Sequence, residues 1–396
     1  MNHSLFRSFI LGGLILVLSA AAVAADEAAQ AWAKVYERAE TIYQRHQVML
    51  SMVEEDNPEL IPVFMDALSD LVQERKSKAL GQRDEAVRDE IKRLIVRELG
   101  DLKALETAPL IFTVVKESSD GNLKREALIA LGKTGDKAFA REITRILDSL
   151  NTFHGESPAV DDDKIAFGCI DAIKNLKDPA GYKTIFKALF AGYSSQVIKA
   201  AEEALAAIVD DPTEILRDII RTEKDPKIKL LALSRSRDSS ASPENRVTIA
   251  LVSLQQGLDA NPNNIQESIA YSKLRENAML ILLDLKARKR DAVPYVERVL
   301  YLDTDPVEQI YAIRVLKVIA YDEAVQALAQ FLGYYNDRRG DGLAVPPDRE
   351  RIVIEAVRAL GDLKSKSARE ELLRAKFVGY SYDVVREVDK ALLAMK

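Results

Sequence analysis

Across 396 residues the chain carries 56 basic and 62 acidic side chains, for a net charge of -6. That balance speaks against nucleic acid as a main partner, because neutralising phosphates takes a basic field. With 47% hydrophobic and 30% charged residues, dominated by Leu, Ala, Ile, Val, Glu, Lys and Arg, the composition excludes a disordered chain and favours packed helices.

The first residues read as a targeting segment. Arg7 supplies a short basic start, and 9–23 are apolar but too short for a comfortable membrane span. Ala22-Val23-Ala24-Ala25 then sets small residues where a signal peptidase cuts. The expectation is a signal peptide over 1–25, cleaved near Ala24 or Ala25, with the alternative of an uncleaved anchor. A cleaved chain is periplasmic or secreted and keeps no stable membrane span.

Residues 32–53 read as one long amphipathic helix. Trp32, Val35, Tyr36, Ala39, Ile42, Tyr43, His46, Met49, Leu50 and Val53 fall on one stripe. Asn57-Pro58 ends it and opens a second helix. This pair, over 26–83, fits the later pattern poorly and reads as capping helices, which a repeat array needs at its ends. From residue 84 a unit of helix, turn and helix recurs, most clearly over 122–150. Leu123, Ala127, Leu128 and Leu131 form one oily face, and Gly132 offers a helix end. Asp136 offers an N-cap, and Phe139, Ile143, Ile146, Leu147 and Leu150 form a second oily face.

Marking each unit at the place of Leu131 yields Leu99, Leu176, Ile208, Ser236, Leu282, Leu316, Leu360 and Leu392, at steps of roughly 30 to 45 residues. Four residues before the marks stand Ile95, Ala127, Ala172, Ala204, Ala232, Ala278, Ala312, Ala356 and Val388. Mostly small, they let neighbouring helices approach. Asp178-Pro179, Asp211-Pro212, Asp225-Pro226 and Asp305-Pro306 each place an N-cap before a proline at the first helical position. Two blocks of repeats are expected, 84–236 and 237–396, in an all-α chain.

These helices resemble the HEAT repeat family, in particular its bacterial, phycobilisome-lyase-like form. The shared motif is a helix with a basic residue, a small Ala and a closing Leu-Gly. It stands here at Arg351, Ala356, Leu360 and Gly361, and at Lys124, Ala127, Leu131 and Gly132. The resemblance implies an α-solenoid of stacked antiparallel helix pairs, a HEAT-like superhelix whose second helices line a concave face. It implies no activity, because such repeats serve scaffolds, adaptors and lyase subunits alike.

Three stretches read as interruptions: a polar loop over 151–163 that ends in Asp161, Asp162 and Asp163, a Ser-rich linker over 234–245, and a Gly/Pro-rich loop over 333–349. The acids suit a hard cation or, better, the positive end of the next helix. Past residue 25 the histidines are His46 and His154, too few for a zinc or di-iron cluster. Cys169, the single cysteine, shares an apolar stripe with Ile165 and Ile173 and reads as a buried small hydrophobe. Phosphate loops and nucleophile elbows are missing. The expectation is no catalytic residue, no cofactor and no metal, hence no enzyme.

The most suggestive feature is a repeat within the repeats: Phe190-Ala191-Gly192-Tyr193-Ser194, Phe331-Leu332-Gly333-Tyr334-Tyr335 and Phe377-Val378-Gly379-Tyr380-Ser381-Tyr382. Each is expected to form a turn within a helix pair, with its glycine as C-cap. The tyrosines either pack across the turn or stand out as a contact ridge. The candidate partner-binding residues are therefore Tyr193, Tyr334, Tyr335, Arg338, Arg339, Tyr380 and Tyr382, Arg and Tyr being the usual anchors of protein interfaces. The functional expectation is a protein-binding scaffold or adaptor of the bacterial periplasm or cell envelope. The alternatives are an enzyme accessory subunit or lyase-like relative, and a cell-envelope glycan binder. A ligand-sized pocket lined by polar groups favours the lyase-like reading, and a long open groove favours the scaffold.

Overall fold

A computed structural model of the chain describes residues 27–77, 81–154, 158–302, 305–343 and 345–395. The expected signal peptide over 1–25 lies outside the described residues. Among those residues the structure is α-helix, joined by tight turns and short 3-10 segments, with no strand. No described helix is long and apolar enough to cross a membrane.

The chain divides into two compact units between Val209 and Asp210. The first holds a helix over residues 27–37 (α1). It continues with α2 (Ile42–Val53), α3 (Ile61–Ser77), α4 (Gln82–Asp101), α5 (Ala108–Glu117), α6 (Gly121–Thr134), α7 (Ala140–His154), α8 (Asp162–Leu176), α9 (Tyr182–Ala188) and α10 (Ser195–Ile208). From α2 onward the even-numbered helices lie side by side, α2 on α4 and so on to α10. The odd-numbered helices from α3 each rest on the even one that follows.

The second unit holds α11 (Thr213–Thr222), α12 (Pro226–Asp238), α13 (Pro243–Leu258), α14 (Ile265–Asp284), α15 (Val293–Leu300), α16 (Pro306–Ile319), α17 (Asp322–Gly340), α18 (Pro347–Leu363), α19 (Arg369–Phe377) and α20 (Tyr382–Ala394). It is layered the same way: even helices contact even, odd contact odd, and each odd helix packs on its successor.

The sequence register maps onto one layer. Ile95, Ala127, Ala172, Ala204, Ala232, Ala278, Ala312, Ala356 and Val388 are all fully buried, and each sits on an even-numbered helix from α4 to α20. The small side chains allow close approach, which the glycines take further. A Cβ on Gly132 would lie 2.5 Å from the Ala172 Cα on α8, and one on Gly100 would lie 2.7 Å from the Ala130 Cα on α6. Gly361 meets Ala391 of α20 in the same way. Gly132 is thus no helix end. The helix runs on to Thr134 and stops at Gly135, whose φ of 81° is left-handed. A glycine inside a helix costs about 1 kcal/mol, and here close packing of two backbones offsets it.

Three boundaries differ from expectation. The first long helix is broken, because Thr41 and Gln44 form a reciprocal capping box that starts α2 afresh. The Ser-rich stretch is no linker: α12 runs through it to Asp238, and Ser242 caps α13 by accepting from the Asn245 N–H. The loop expected from residue 333 is helical as far as Gly340.

The Asp-Pro pairs do more than start helices. Asp225 accepts from the Lys227 N–H at 2.8 Å, and Asp305 accepts from the Val307 N–H at 2.9 Å. Three residues past each proline a long polar side chain turns back. Lys229 Nζ donates to the Ile220 carbonyl at 2.6 Å, and Gln309 Nε2 donates to the Leu300 carbonyl at 2.6 Å. Both carbonyls belong to the last turn of the preceding helix, where intrahelical partners run out. Burial lowers the pKa of Lys229, and its ammonium is held by this carbonyl and by Gln256 Oε1 at 2.7 Å. Gln309 leads into the site.

Candidate functional site

The second unit carries a cleft of about 610 Å³ between the end of α15, the start of α16, α17 and the start of α18. Leu300, Leu302, Val345 and Pro346 give it apolar walls. Tyr301, Gln309, Tyr334, Tyr335, Arg338 and Arg349 give it polar ones.

Local rules place these groups. Tyr334 and Arg338 are four apart on α17 and so share a face. An Arg338 Nη donates to the Tyr334 hydroxyl at 3.3 Å, and the guanidinium carbon lies 5.7 Å from the ring centroid. Tyr301, just past α15, meets Tyr334 edge-on at 5.9 Å and Phe331 edge-on at 5.8 Å. Gln309 Nε2 also reaches the Leu302 carbonyl at 3.2 Å, and its Oε1 accepts from an Arg349 Nη at 2.7 Å. The Tyr335 hydroxyl bonds Arg349 as well; burial raises its pKa and the Arg349 charge pulls it back. Arg349 is therefore held in place, while Arg338 lies over an aromatic face.

The structure sorts the sequence candidates. Tyr334, Tyr335 and Arg338 line the cleft. Tyr334 is 44% exposed, whereas Tyr335 is buried and packs edge-on against Phe331 at 5.2 Å, so it is no exposed contact. Tyr380 is buried too, with a hydroxyl that has no hydrogen-bond partner among the described residues and a pKa raised by burial. Arg339 is committed elsewhere: its Nε and an Nη donate to the Gly379 carbonyl at 3.0 and 2.6 Å, with the guanidinium over the Tyr380 ring. Tyr382 is 78% exposed beneath Arg386, outside the cleft. Tyr193, in the first unit, is buried and stacks on His154 at 4.3 Å. A ridge of exposed tyrosines is thus corrected: Tyr193, Tyr335 and Tyr380 pack inward.

The three Phe-x-Gly-Tyr segments are not equivalent. Gly192 and Gly379 adopt left-handed φ of 88° and 86° in the turns that follow α9 and α19, though the C-caps themselves are Leu189 and Val378. Gly333 sits inside α17 against the Glu371 carboxylate. Ser194 and Ser381 take extended backbone at N-cap positions, without a side-chain cap hydrogen bond, and new helices follow them, whereas Tyr335 lies inside α17. Asn336 is fully buried and donates to the Glu371 carbonyl at 3.0 Å, so this stretch is core, not loop.

The acidic triplet has local duties. Asp162 accepts from the Ala159 N–H at 2.9 Å and meets His154 Nδ1 at 3.0 Å. Asp163 accepts from the Ser194 N–H at 3.1 Å, and Asp161 pairs with Lys164 at 2.8 Å. Cys169 is fully buried, which raises its pKa far above the range of a reactive thiolate. The described residues hold no cluster of three or more His, Cys, Asp or Glu arranged for a metal ion.

No family model matches this chain. No curated protein matches it either. Among solved structures it is similar to human deoxyhypusine hydroxylase in complex with glycerol, at 13% identity over 95% of this chain and 98% of that one, with a TM-score of 0.27. At that level no activity carries over. The expectation of no enzyme is nonetheless withdrawn, because missing motifs exclude no activity. The expectation rested on missing motifs. In a helical chain reacting groups converge from separate helices, and no contiguous motif need mark them.

Proposed function

We propose that the chain is an exported, HEAT-like α-solenoid of the bacterial periplasm or cell envelope that binds a partner protein at the cleft of its second unit. The alternating helix layers and their buried small-residue register support the repeat reading. The apolar segment before Ala24-Ala25 supports export. The observation that carries the binding reading is the cluster of Tyr301, Tyr334 and Arg338, with both tyrosines half exposed beside a guanidinium. Tyr and Arg are the residues that dominate interface energetics.

A second reading has an observation of its own. The cleft is ligand-sized and lined by polar groups, the outcome that favours an enzyme accessory subunit or lyase-like relative over a scaffold with a long groove. Capture from a native envelope extract separates the two. Tyr334→Ala with Arg338→Ala is expected to weaken recovery of a crosslinked partner by about tenfold or more, on the order of 1.4 kcal/mol, with melting unchanged. Both side chains are exposed, so the core is spared. Unaltered recovery of the same partner rules out the cleft as the contact.

A further inference from the structure

We infer that Glu98 is a proton-operated lock on the joint between helices α1 to α3 and α4: with its proton the joint closes, and ionised it loosens. The lock lies in the first unit and does not depend on the cleft.

Burial without a counter-charge is the first argument. Three glutamates are buried among the described residues: Glu98, Glu308 and Glu387. Arg275 donates to Glu308 at 3.1 Å, while Arg358 and Lys390 meet Glu387 at 3.2 and 2.9 Å. Hydrogen bonds from Arg358 and Lys390 hold the Glu387 pKa down to about 2. Glu98 has no such cation. Its Oε1 is closed to solvent and has no hydrogen-bond partner among the described residues. A carboxylate so placed relieves the cost of burial by keeping its proton. Burial, with the charges of Asp56 and Asp101 behind it, raises the Glu98 pKa from 4.5 to about 7.

The elements packed against α4 supply no spare cation. On α6, Lys133 is bonded to Asp101 at 2.5 Å, and Glu126 takes Arg97 at 3.4 Å and Arg125 at 3.1 Å. On α2, Arg45 pairs with Glu74 of α3 at 3.2 Å, and His46 carries a buried Nε2. Residues 59–74, which include most of α3, carry Glu59, Asp66, Asp70 and Glu74 and no Lys or Arg.

Position is the second argument. Asp56 lies in the turn after α2, and that turn ties several elements together. Trp32 Nε1 of α1 donates to Glu55 Oε1 at 2.9 Å. Asn57 accepts from the Glu59 N–H at 3.0 Å and so starts the short 3-10 segment ahead of α3. Asp56 stands between them with a left-handed φ of 46°. A negative charge on Glu98 repels Asp56 at this turn, while α2 itself packs on α4. The closed joint holds the proton more tightly than the open one. Its extra stability is therefore fully present below about pH 4.5 and is lost as pH rises through about 7.

Trp32, the single tryptophan, reports on the joint from within it. In the full mature chain its emission is expected to change with a midpoint near pH 7. Glu98→Gln, a neutral mimic of the protonated acid, should abolish the step, and His46→Gln should leave it. Amide exchange then compares the parent and Glu98→Gln at the same pH, so that intrinsic rates cancel. The variant should protect α2 and α4 better at pH 8, and its advantage should grow by about tenfold or more from pH 5 to pH 8. Equal or lower protection in Glu98→Gln at pH 8 overturns the inference, whatever the emission does. So does an emission step that survives Glu98→Gln, or one that His46→Gln removes.

Discussion

Glu308→Ala is expected to destabilise the second unit by about 3 to 5 kcal/mol, the range for breaking a buried ion pair from one side. Glu308 opens α16 and is fully buried, and its partner Arg275 on α14 is nearly so. Arg275 Nη2 donates to Glu308 Oε2 at 3.1 Å, its Nε bonds Oε1, and Ser272 adds a hydroxyl donor to Oε2 at 2.9 Å. Arg275 Nη1 also donates to the Gly257 carbonyl at 2.7 Å, so the network joins α13, α14 and α16. Removing the carboxylate leaves a nearly buried guanidinium without its counter-charge, and that desolvation dominates the cost. Urea unfolding of the variant should show a clearly lower midpoint. The control is Glu214→Ala, which removes an exposed partner of Arg217 and should stay within about 0.5 kcal/mol of the parent. Equal midpoints for the two variants would contradict the account.

The second large effect is expected from Ala127→Asp in the first unit and Ala356→Asp in the second. Both alanines are fully buried on even-numbered helices, in the layer where helices approach most closely. An unpaired carboxylate there costs several kcal/mol, comparable to the whole stability of a domain. Because stacked helices couple mainly to neighbours, the loss should be local at first. Amide exchange should accelerate in α4, α6 and α8 for Ala127→Asp, and in α16, α18 and α20 for Ala356→Asp. Unchanged exchange in those helices would break the register.

That register was legible because a fully buried helix face leaves a mark in sequence. Ile95 to Val388 recur at one place in each unit, and all nine proved buried. The glycines were harder. Gly132 and Gly135 look alike in a string of letters, yet one brings two backbones together and the other turns the chain. The distinguishing signal for Gly132 is Ala172 on a helix two elements away, which no local pattern names. The Thr41-x-x-Gln44 capping box, by contrast, was plainly readable in the sequence and was overridden by the apolar stripe on either side.

The site was legible in part for the same reason. Tyr334 and Arg338 stand four apart and meet as helical spacing requires. Gln309 and Arg349 were invisible as partners, because they lie 40 residues apart and only the packing of α16 against α18 joins them. The Arg275–Glu308 pair is hidden alike, 33 residues apart in a chain with 30% charged residues. At Tyr193 and Tyr380 the four letters Phe-x-Gly-Tyr leave open whether the tyrosine points inward, as both do.

The most direct test of the cleft as the binding site is photocrosslinking from single positions. A benzophenone side chain is placed at position 334 in one chain and at position 382 in another, each expressed in its native envelope. Position 382 is the fair comparison, since Tyr382 is more exposed than Tyr334 but lies outside the cleft. The account predicts a discrete protein adduct from position 334, little from 382, and loss of the first when Arg338→Gln is added. A strong adduct from 382 with none from 334, or a 334 adduct indifferent to Arg338→Gln, would contradict it.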